Sequence, residues 1–423
     1  EYQFKRQDDT PLVSGKMHTF TIQVSKRTDS GDYSFALLDQ EISPWIDDNE
    51  FHEGILRQYI TVTIKEPGTF AGTLIDMGID YEDVTSLKVA GKVNNDDVMF
   101  MGDMPSLTNI NMKDMIIDND GEELDYIIPA NAFNYASIVH LVLPDKLVKI
   151  EENAFVDCPL SGTIIFPEGL EVIGMSAFAR YSTNSGNMIK VIFPSTLKRI
   201  ESSAFHGNAF AVVRGELILP EGLEYVGSSA FTCANLTGNL RLPSTLKELG
   251  ERQVFNGNFT GDLIIPEGVT AIPNMCFINA YFDGRLILPE GLTEIGPDAF
   301  RDCGFKGELV LPSTLKSIHE SAFMGNNFSN VVLPDKLSFL GRDAFKDCNN
   351  LSGEIVIPGS VTAISPGLFM NCSKLSAIKL HKDISLINGE AFANCVGITE
   401  IICDNPNPPI ISNSAFQNVV KGN

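Results

Sequence analysis

The chain has 423 residues with 31 Lys and Arg against 54 Asp and Glu, a formal net charge of -23. That balance excludes ordinary nucleic-acid binding, because phosphates are repelled unless basic residues segregate on one face, and no Lys/Arg cluster does so. Hydrophobic residues make up 43% and charged ones 20%, as in a folded globular chain, and no run of about 18 apolar residues offers a membrane-spanning helix.

The opening EYQFKRQDDT is polar and charged and lacks the apolar core of an export signal. Residues 16–26 (KMHTFTIQVSK) then alternate, with Phe20, Ile22 and Val24 on one face, and 58–64 (QYITVTI) do the same with Ile60, Val62 and Ile64. A period of two predicts half-buried strands, so residues 1–65 read as a small all-β, sandwich-like domain. The acidic stretch Asp118-Asn119-Asp120-Gly121-Glu122-Glu123 has the charge of a calcium loop but not its sixth-position Gly or spaced terminal Glu, and reads as a solvated insertion.

From there a unit recurs: Leu-x-Leu-Pro-x-x-Leu-x-x-Ile-x-x-x-Ala-Phe-x-x-Cys/Asn. Its phase is marked by Pro144, Pro167, Pro194, Pro220, Pro243, Pro266, Pro289, Pro312, Pro334 and Pro358, with His381 in the next slot, and most steps are 22 to 24 residues. Each unit supplies a short β-branched segment such as Leu286-Ile287-Leu288, which a proline ends by removing a donor. A Pro-Glu-Gly or Pro-Ser-Thr turn follows, then two apolar residues three apart and the Ala-Phe couple. Roughly six inward apolar groups per unit cannot be hidden by one coil, so coils must stack, with parallel strands about 4.8 Å apart. Twelve or so coils at that spacing make a stack on the order of 60 Å long. The fold expected is mainly β with short helical turns, a right-handed solenoid following the first domain. The period stretches at 180–190 and 206–216, which predicts loops, and one residue is added near Gln253, which predicts a bulge.

Cys158, Cys303, Cys348, Cys372 and Cys395 all lie three residues after the repeat Phe, and Asn208, Asn258 and Asn326 share that slot. A position that accepts Cys or Asn predicts a buried structural group. Zinc would need paired Cys-x-x-Cys or interleaved His, and neither occurs. The six histidines are scattered; His319-Glu320 begins a zincin-like pair that Phe323 breaks. No Walker loop, nucleophile elbow or dinucleotide fingerprint is present, so no cofactor, metal or catalytic residue is expected.

The column two residues before each proline must face away from the core if its neighbours face in. It reads Val142, Ile165, Ile192, Ile218, Arg241, Ile264, Ile287, Val310, Val332, Val356 and Lys379. An outward column should be polar, and this one is mostly not. Stacking of β-branched residues along a parallel sheet accounts for it without a partner; an apolar stripe of several hundred square ångströms rimmed by polar groups accounts for it as an interaction surface. Tyr225 and Phe339, outward in the second segment, join the candidate surface as aromatic residues of the kind that anchor interfaces.

The unit, as in LILPEGLTEIGPDAFRDC at 286–303, closely resembles the BspA-type leucine-rich repeat of surface proteins in Bacteroidetes and some protists, and the resemblance covers about three quarters of the chain. GTFAGTL at 68–74 and VTSLKVAGKVNNDDVMFMGDMPSLTNINM at 84–112 are similar to the lead-in of that family, so the array is taken as 66–423, with a lead-in at 66–130 and a last coil at 396–423. Residues 1–65 are faintly similar to fimbrillin-like modules, with an Ig-like module as the other option. The resemblance implies a non-enzymatic secreted or cell-surface protein, anchored to the outer membrane as a lipoprotein, that binds an extracellular protein or other surface macromolecule. A structural spacer or assembly component of the envelope is the alternative, and an enzyme the reading with least behind it.

Overall fold

The computed structural model describes residues 16–26, 33–44, 59–118, 126–182, 189–207 and 217–419, the first two spans by their backbone alone. The chain divides into two compact units, Glu1–Leu56 and Arg57–Asn423. In the first, β1 (Lys16–Lys26) pairs antiparallel with β2 (Tyr33–Pro44), with a register shift between Thr21 and Ile22. The sandwich expected there falls largely outside the described residues.

The second unit is mainly β and is built of stacked coils. Its first strand is β3 (Ile60–Ile64), which pairs in parallel with β4 (Ser86–Val93), and β4 with β5 (Asn109–Ile117). The sequence reading grouped Ile60, Val62 and Ile64 with the N-terminal domain; their pairing makes them a rung of the solenoid ladder instead. Two short helices connect these rungs, α1 (Phe70–Asp76) and α2 (Asn95–Gly102). Buried Asp97 ties them together. Its carboxylate accepts from Asn94 N at 3.1 Å, closing a capping box at the start of α2, and from Gly68 N at 2.7 Å and Phe70 N at 2.9 Å at the start of α1. A carboxylate at a helix start meets backbone N–H groups that have no partner within the helix.

From β5 onward each coil has the same three parts. The segment before the proline is a strand in parallel register with the next coil: Ile165 lies beside Ile192, Leu263 beside Leu286, Ile264 beside Ile287, and Val310 beside Val332. Side chains alternate along the strand, so Leu263 and Ile265 are buried while Ile264 between them is exposed. A second ladder of two-residue strands follows the turn. There Arg199-Ile200, Tyr225-Val226 and Glu248-Leu249 stack in parallel, and so do Glu294-Ile295, Ser317-Ile318 and Phe339-Leu340. The second residue of each pair points into the core.

The third part is the Ala-Phe corner. Its phenylalanines form a continuous spine from Phe133 to Phe416, each ring stacked on the next with centroids 5.1 to 5.9 Å apart. Fully burying one such ring stabilises the fold by about 1.5–3 kcal/mol. Left-handed residues flank the corner. One precedes the Ala, as Asp298 (φ 51°) and Ser321 (φ 52°) do, and one follows the Phe by two, as Asp302 (φ 53°), Gly325 (φ 75°) and Asn371 (φ 65°) do. Asn, Asp and Gly tolerate this region best, and most of these slots hold one of them or Ser, with Tyr135 (φ 61°) and Met275 (φ 54°) among the exceptions. Hydrogen bonds to the next coil continue through the corner: Asn153 N to Met175 O, Phe155 N to Ala177 O and Asp157 N to Ala179 O, at 2.7 to 2.9 Å.

Near Gln253, where the unit carries its extra residue, Arg252 (φ 59°) and Gln253 (φ 53°) are both left-handed where other coils use one residue, so the insertion is absorbed as a local bulge. The longer insertions fall at 183–188 and 208–216, outside the described residues, as do residues 119–123 of the acidic stretch. Asp118 is described: it is buried and accepts from Lys92 Nζ at 3.1 Å.

Candidate binding surface

The column named from sequence faces out. Exposure of its apolar members runs from 38% at Ile287 to 75% at Ile218, with Ile192 half-buried, and Arg241 and Lys379 are exposed among them. Backbone bonds fix its direction: Ile265 N donates to Ile287 O, and Ile357 N to Lys379 O, both at 2.9 Å. The pleat sends each central side chain outward while its neighbours fill the core. Ile264, Ile287, Val310, Val332 and Val356 form a run unbroken by a charged member, beginning after Arg241 and ending at Lys379.

Polar rows accompany this column. Two residues earlier on each strand stand Asp262, Arg285, Glu308, Asn330 and Glu354. Arg285 donates to Asp262 through Nη2 at 2.8 Å, and this hydrogen bond holds the Asp262 carboxyl below its usual range and raises the guanidinium. Asn330 Nδ2 donates to Glu308 Oε1 at 3.1 Å. Just past the prolines run Glu168, Ser195, Glu221, Ser244, Glu267, Glu290, Ser313 and Asp335, and here coils recognise each other. Glu221 accepts both Ser244 N at 3.0 Å and Ser244 Oγ at 2.8 Å, while Thr245 Oγ1 accepts Gly222 N and donates to Leu223 O, both at 2.9 Å. Glu168 with Ser195 and Glu290 with Ser313 repeat the arrangement. The Pro-Glu-Gly coils at 167, 220 and 289 are each complemented in this way by the Pro-Ser-Thr coil that follows, whereas the one at 266 is followed by another Pro-Glu-Gly.

Tyr225 and Phe339 do not join the aliphatic column, because both belong to the second ladder and lie on different coils. Tyr225 is half-buried under the Arg199 guanidinium, 4.1 Å from its ring centroid, with Arg199 Nε on Glu201 at 2.8 Å. Phe339 is 49% exposed, its ring 5.3 Å from that of His319, whose Nε2 meets Glu294 Oε1 at 2.8 Å. In the proline slot, His381 uses Nδ1 to accept Asp383 N at 3.1 Å and Nε2 to meet Val361 O at 2.8 Å, which ties its turn to the preceding coil.

The cysteines that resemble ligands are core donors. Cys158, Cys303, Cys348, Cys372 and Cys395 each donate from Sγ to the carbonyl of the repeat Phe one coil earlier, at 2.9 to 3.3 Å. Asn326 does the same through Nδ2, to Phe300 O at 2.7 Å. Asn258 departs from the expectation: it is exposed on a strand paired with Tyr281, in the same coil as the bulge at 252–253. Asn208 lies outside the described residues. Burial pushes the thiols of Cys158, Cys348 and Cys395 up to about 12, so they stay protonated as donors. Cys233 and Cys403 are exposed. Among the described residues, no group of three or more His, Cys, Asp or Glu is placed to hold a metal ion, and no helix is long and apolar enough to cross a membrane.

Comparison with known proteins adds the family. The family described as BspA type Leucine rich repeat region matches in six copies, at residues 126–213, 213–307 and 293–421. No curated protein sequence matches the chain. Among solved structures, the chain is similar to a leucine rich cell surface protein from Faecalibacterium prausnitzii, at 16% identity over 96% of this chain and 97% of that one, with a TM-score of 0.37. A leucine-rich repeat protein from Bacteroides ovatus gives 16% identity over 92% and 97%, with a TM-score of 0.36. The pneumococcal vaccine antigen PcpA gives 18% over 78% and 80%, with a TM-score of 0.38.

Proposed function

Taking as premise that the chain belongs to the BspA-type leucine-rich repeat family, we propose that it is a non-enzymatic binding protein of the bacterial surface, holding an extracellular macromolecule on its pre-proline sheet face. One observation carries this reading: a file of aliphatic side chains from Ile165 to Val356, interrupted only by Arg241, stands outward on a strand face whose core needs are already met by the neighbours of each member. Monomeric proteins seldom leave contiguous apolar surface of several hundred square ångströms open without using it. The ladder holds the file in fixed register, so binding would order few side chains that are not already ordered, which favours affinity.

The test is a plate-binding assay of the full chain against extracellular matrix and plasma proteins, with Ile264→Ser, Ile287→Ser and Val310→Ser combined in one variant. Binding by the parent and its loss in the variant, at unchanged thermal midpoint, is the expected result. Equal binding by the two would remove the column from the account, and no binding by the parent would remove the proposal. Anchoring as an outer-membrane lipoprotein belongs to the same reading, and is checked by labelling whole cells with a fatty-acid analogue and probing the membrane fraction.

A further inference from the structure

The rows beside the column are predominantly acidic. Along Ile264, Ile287, Val310, Val332 and Val356, exposed Glu267, Glu290 and Asp335 open the turn at the end of the strand. Asp262, Glu308 and Glu354 stand two residues before the column, about 6–7 Å away along the same face. Of the cations at these positions, Arg285 is paired with Asp262, and Lys336 stands next to Asp335. The hydrogen bonds to Glu290 and Glu308 come from Ser313 and Asn330, which are neutral and leave the charge in place. Over the five coils these positions hold six carboxylates against two cations, an acidic excess of the same sign as the chain's net charge of -23.

We infer that this face takes a basic polypeptide segment in which aliphatic side chains alternate with lysine or arginine: the aliphatic groups cover the column and the cations meet the carboxylate rows. The inference rests on the binding reading above and adds the chemistry of the partner. An acidic or purely polar segment would face like charge on both flanks or would leave the column uncovered, and either would weaken it. Lysine and arginine suit the place because their long aliphatic stems can lie along apolar surface while the charge reaches the rim.

The experiment measures fluorescence anisotropy of short labelled peptides titrated with the full chain at low and at physiological salt: alternating Val/Lys, alternating Val/Glu, and alternating Ser/Lys of equal length. The Val/Lys peptide should bind at least about tenfold more tightly than either of the others, the minimum separation at which charge and apolar cover are both selective, and should weaken as salt rises. A variant carrying Glu267→Lys, Asp335→Lys and Glu354→Lys should lose that preference, whereas the Glu267→Gln, Asp335→Asn and Glu354→Gln variant should retain part of it; both change exposed side chains, and circular dichroism checks that each folds. Equal binding of Val/Lys and Val/Glu, equal binding of Val/Lys and Ser/Lys, or a charge-reversed variant that binds as the parent does would each overturn the inference. If extracellular proteins are captured by parent and charge-reversed chain alike, the partner chemistry falls and the binding function stands. If the peptide preference holds while no extracellular protein is captured, the function falls and the chemistry of the face stands.

Discussion

Replacing Phe300 by Ala removes a ring from the middle of the spine. The side chain is fully buried, stacked at 5.4 Å on Phe277 and 5.6 Å on Phe323, and edge-on to Phe305 at 6.0 Å. Loss of a core Phe costs about 3–5 kcal/mol in transfer and cavity energy. The upper part of that range applies, because the coil cannot collapse into the space: Phe300 N is held by Ala322 O at 2.8 Å, and Phe277 N is held by Ala299 O at 2.9 Å. Phe416 is the control. It is half-buried and stacks on one neighbour, Phe392 at 5.3 Å, so Phe416→Ala should cost roughly half as much by the same measure. Urea unfolding gives the totals, and amide exchange shows where protection is lost, which in a stack with nearest-neighbour coupling should be centred on the coils of Phe277, Phe300 and Phe323. Equal costs for the two variants, or exchange that speeds uniformly along the chain, would refute the picture of a stack held by adjacent coils.

Three further outcomes follow from the same geometry. Gly250 lets two coils approach closely, since a Cβ there would lie 2.1 Å from Ser228 N; Gly250→Ala should lower stability by about 1–3 kcal/mol as an overpacked site, while Gly359→Ala, with nothing within 4 Å, should leave the urea midpoint unchanged. Thr245→Val removes the acceptor for Gly222 N and the donor to Leu223 O, and should cost about 1–2 kcal/mol for two partly exposed hydrogen bonds, read as a fall in thermal midpoint that Thr245→Ser largely avoids. Burial lifts the thiols of Cys158 and Cys348 from 9.0 to about 12; the folded state thus keeps the neutral form, and their stabilisation is complete below pH 9 and lost as pH rises through 12. Each adds a slope of up to about 1.4 kcal/mol per pH unit in that window, so Cys348→Ala should unfold less steeply with alkali, and a parallel curve would count against the assignment.

The period was legible because phenylalanine keeps phase along the array and proline does so from Pro144 to Pro358, and stacking is the one arrangement that buries groups no single coil can hide. The outward column was legible for a related reason: once Leu263 and Ile265 are assigned inward, Ile264 has only one direction left. What the chain did not announce depends on pairs about a coil apart. Two-residue strands such as Glu294-Ile295 are too short to show alternation, so the second ladder emerges only from their pairing with Ser317-Ile318. Tyr225 and Phe339 were legible as outward residues of the second segment, and the pairing shows that this segment is a ladder of its own. Asp97 looks in sequence like any acidic residue in a first helical turn, yet it accepts backbone donors from a helix start 27 residues earlier. The slot shared by Cys and Asn held at the five cysteines and at Asn326, and failed at Asn258, after the one-residue bulge.

The pairing of Pro-Glu-Gly with Pro-Ser-Thr has a consequence for how the surface can vary. Glu221 with Ser244, and Thr245 with Gly222 and Leu223, join neighbouring coils through contacts at the strand ends, while the Phe spine supplies cohesion along the array and the thiol donors add to it at five of the coils. Neither device involves the outward column. Substitutions at Ile264 or Val310 therefore alter what the face presents without disturbing register or core, which is why Arg241 and Lys379 can stand in the same column as isoleucine and valine and still pair in register with Ile218 and Val356. The contacts that hold the coils together are made by side chains other than those of the outward column, so a column variant and a folding variant can be made independently, and a change in the column that lowered stability as much as one in the spine would show that this separation is wrong.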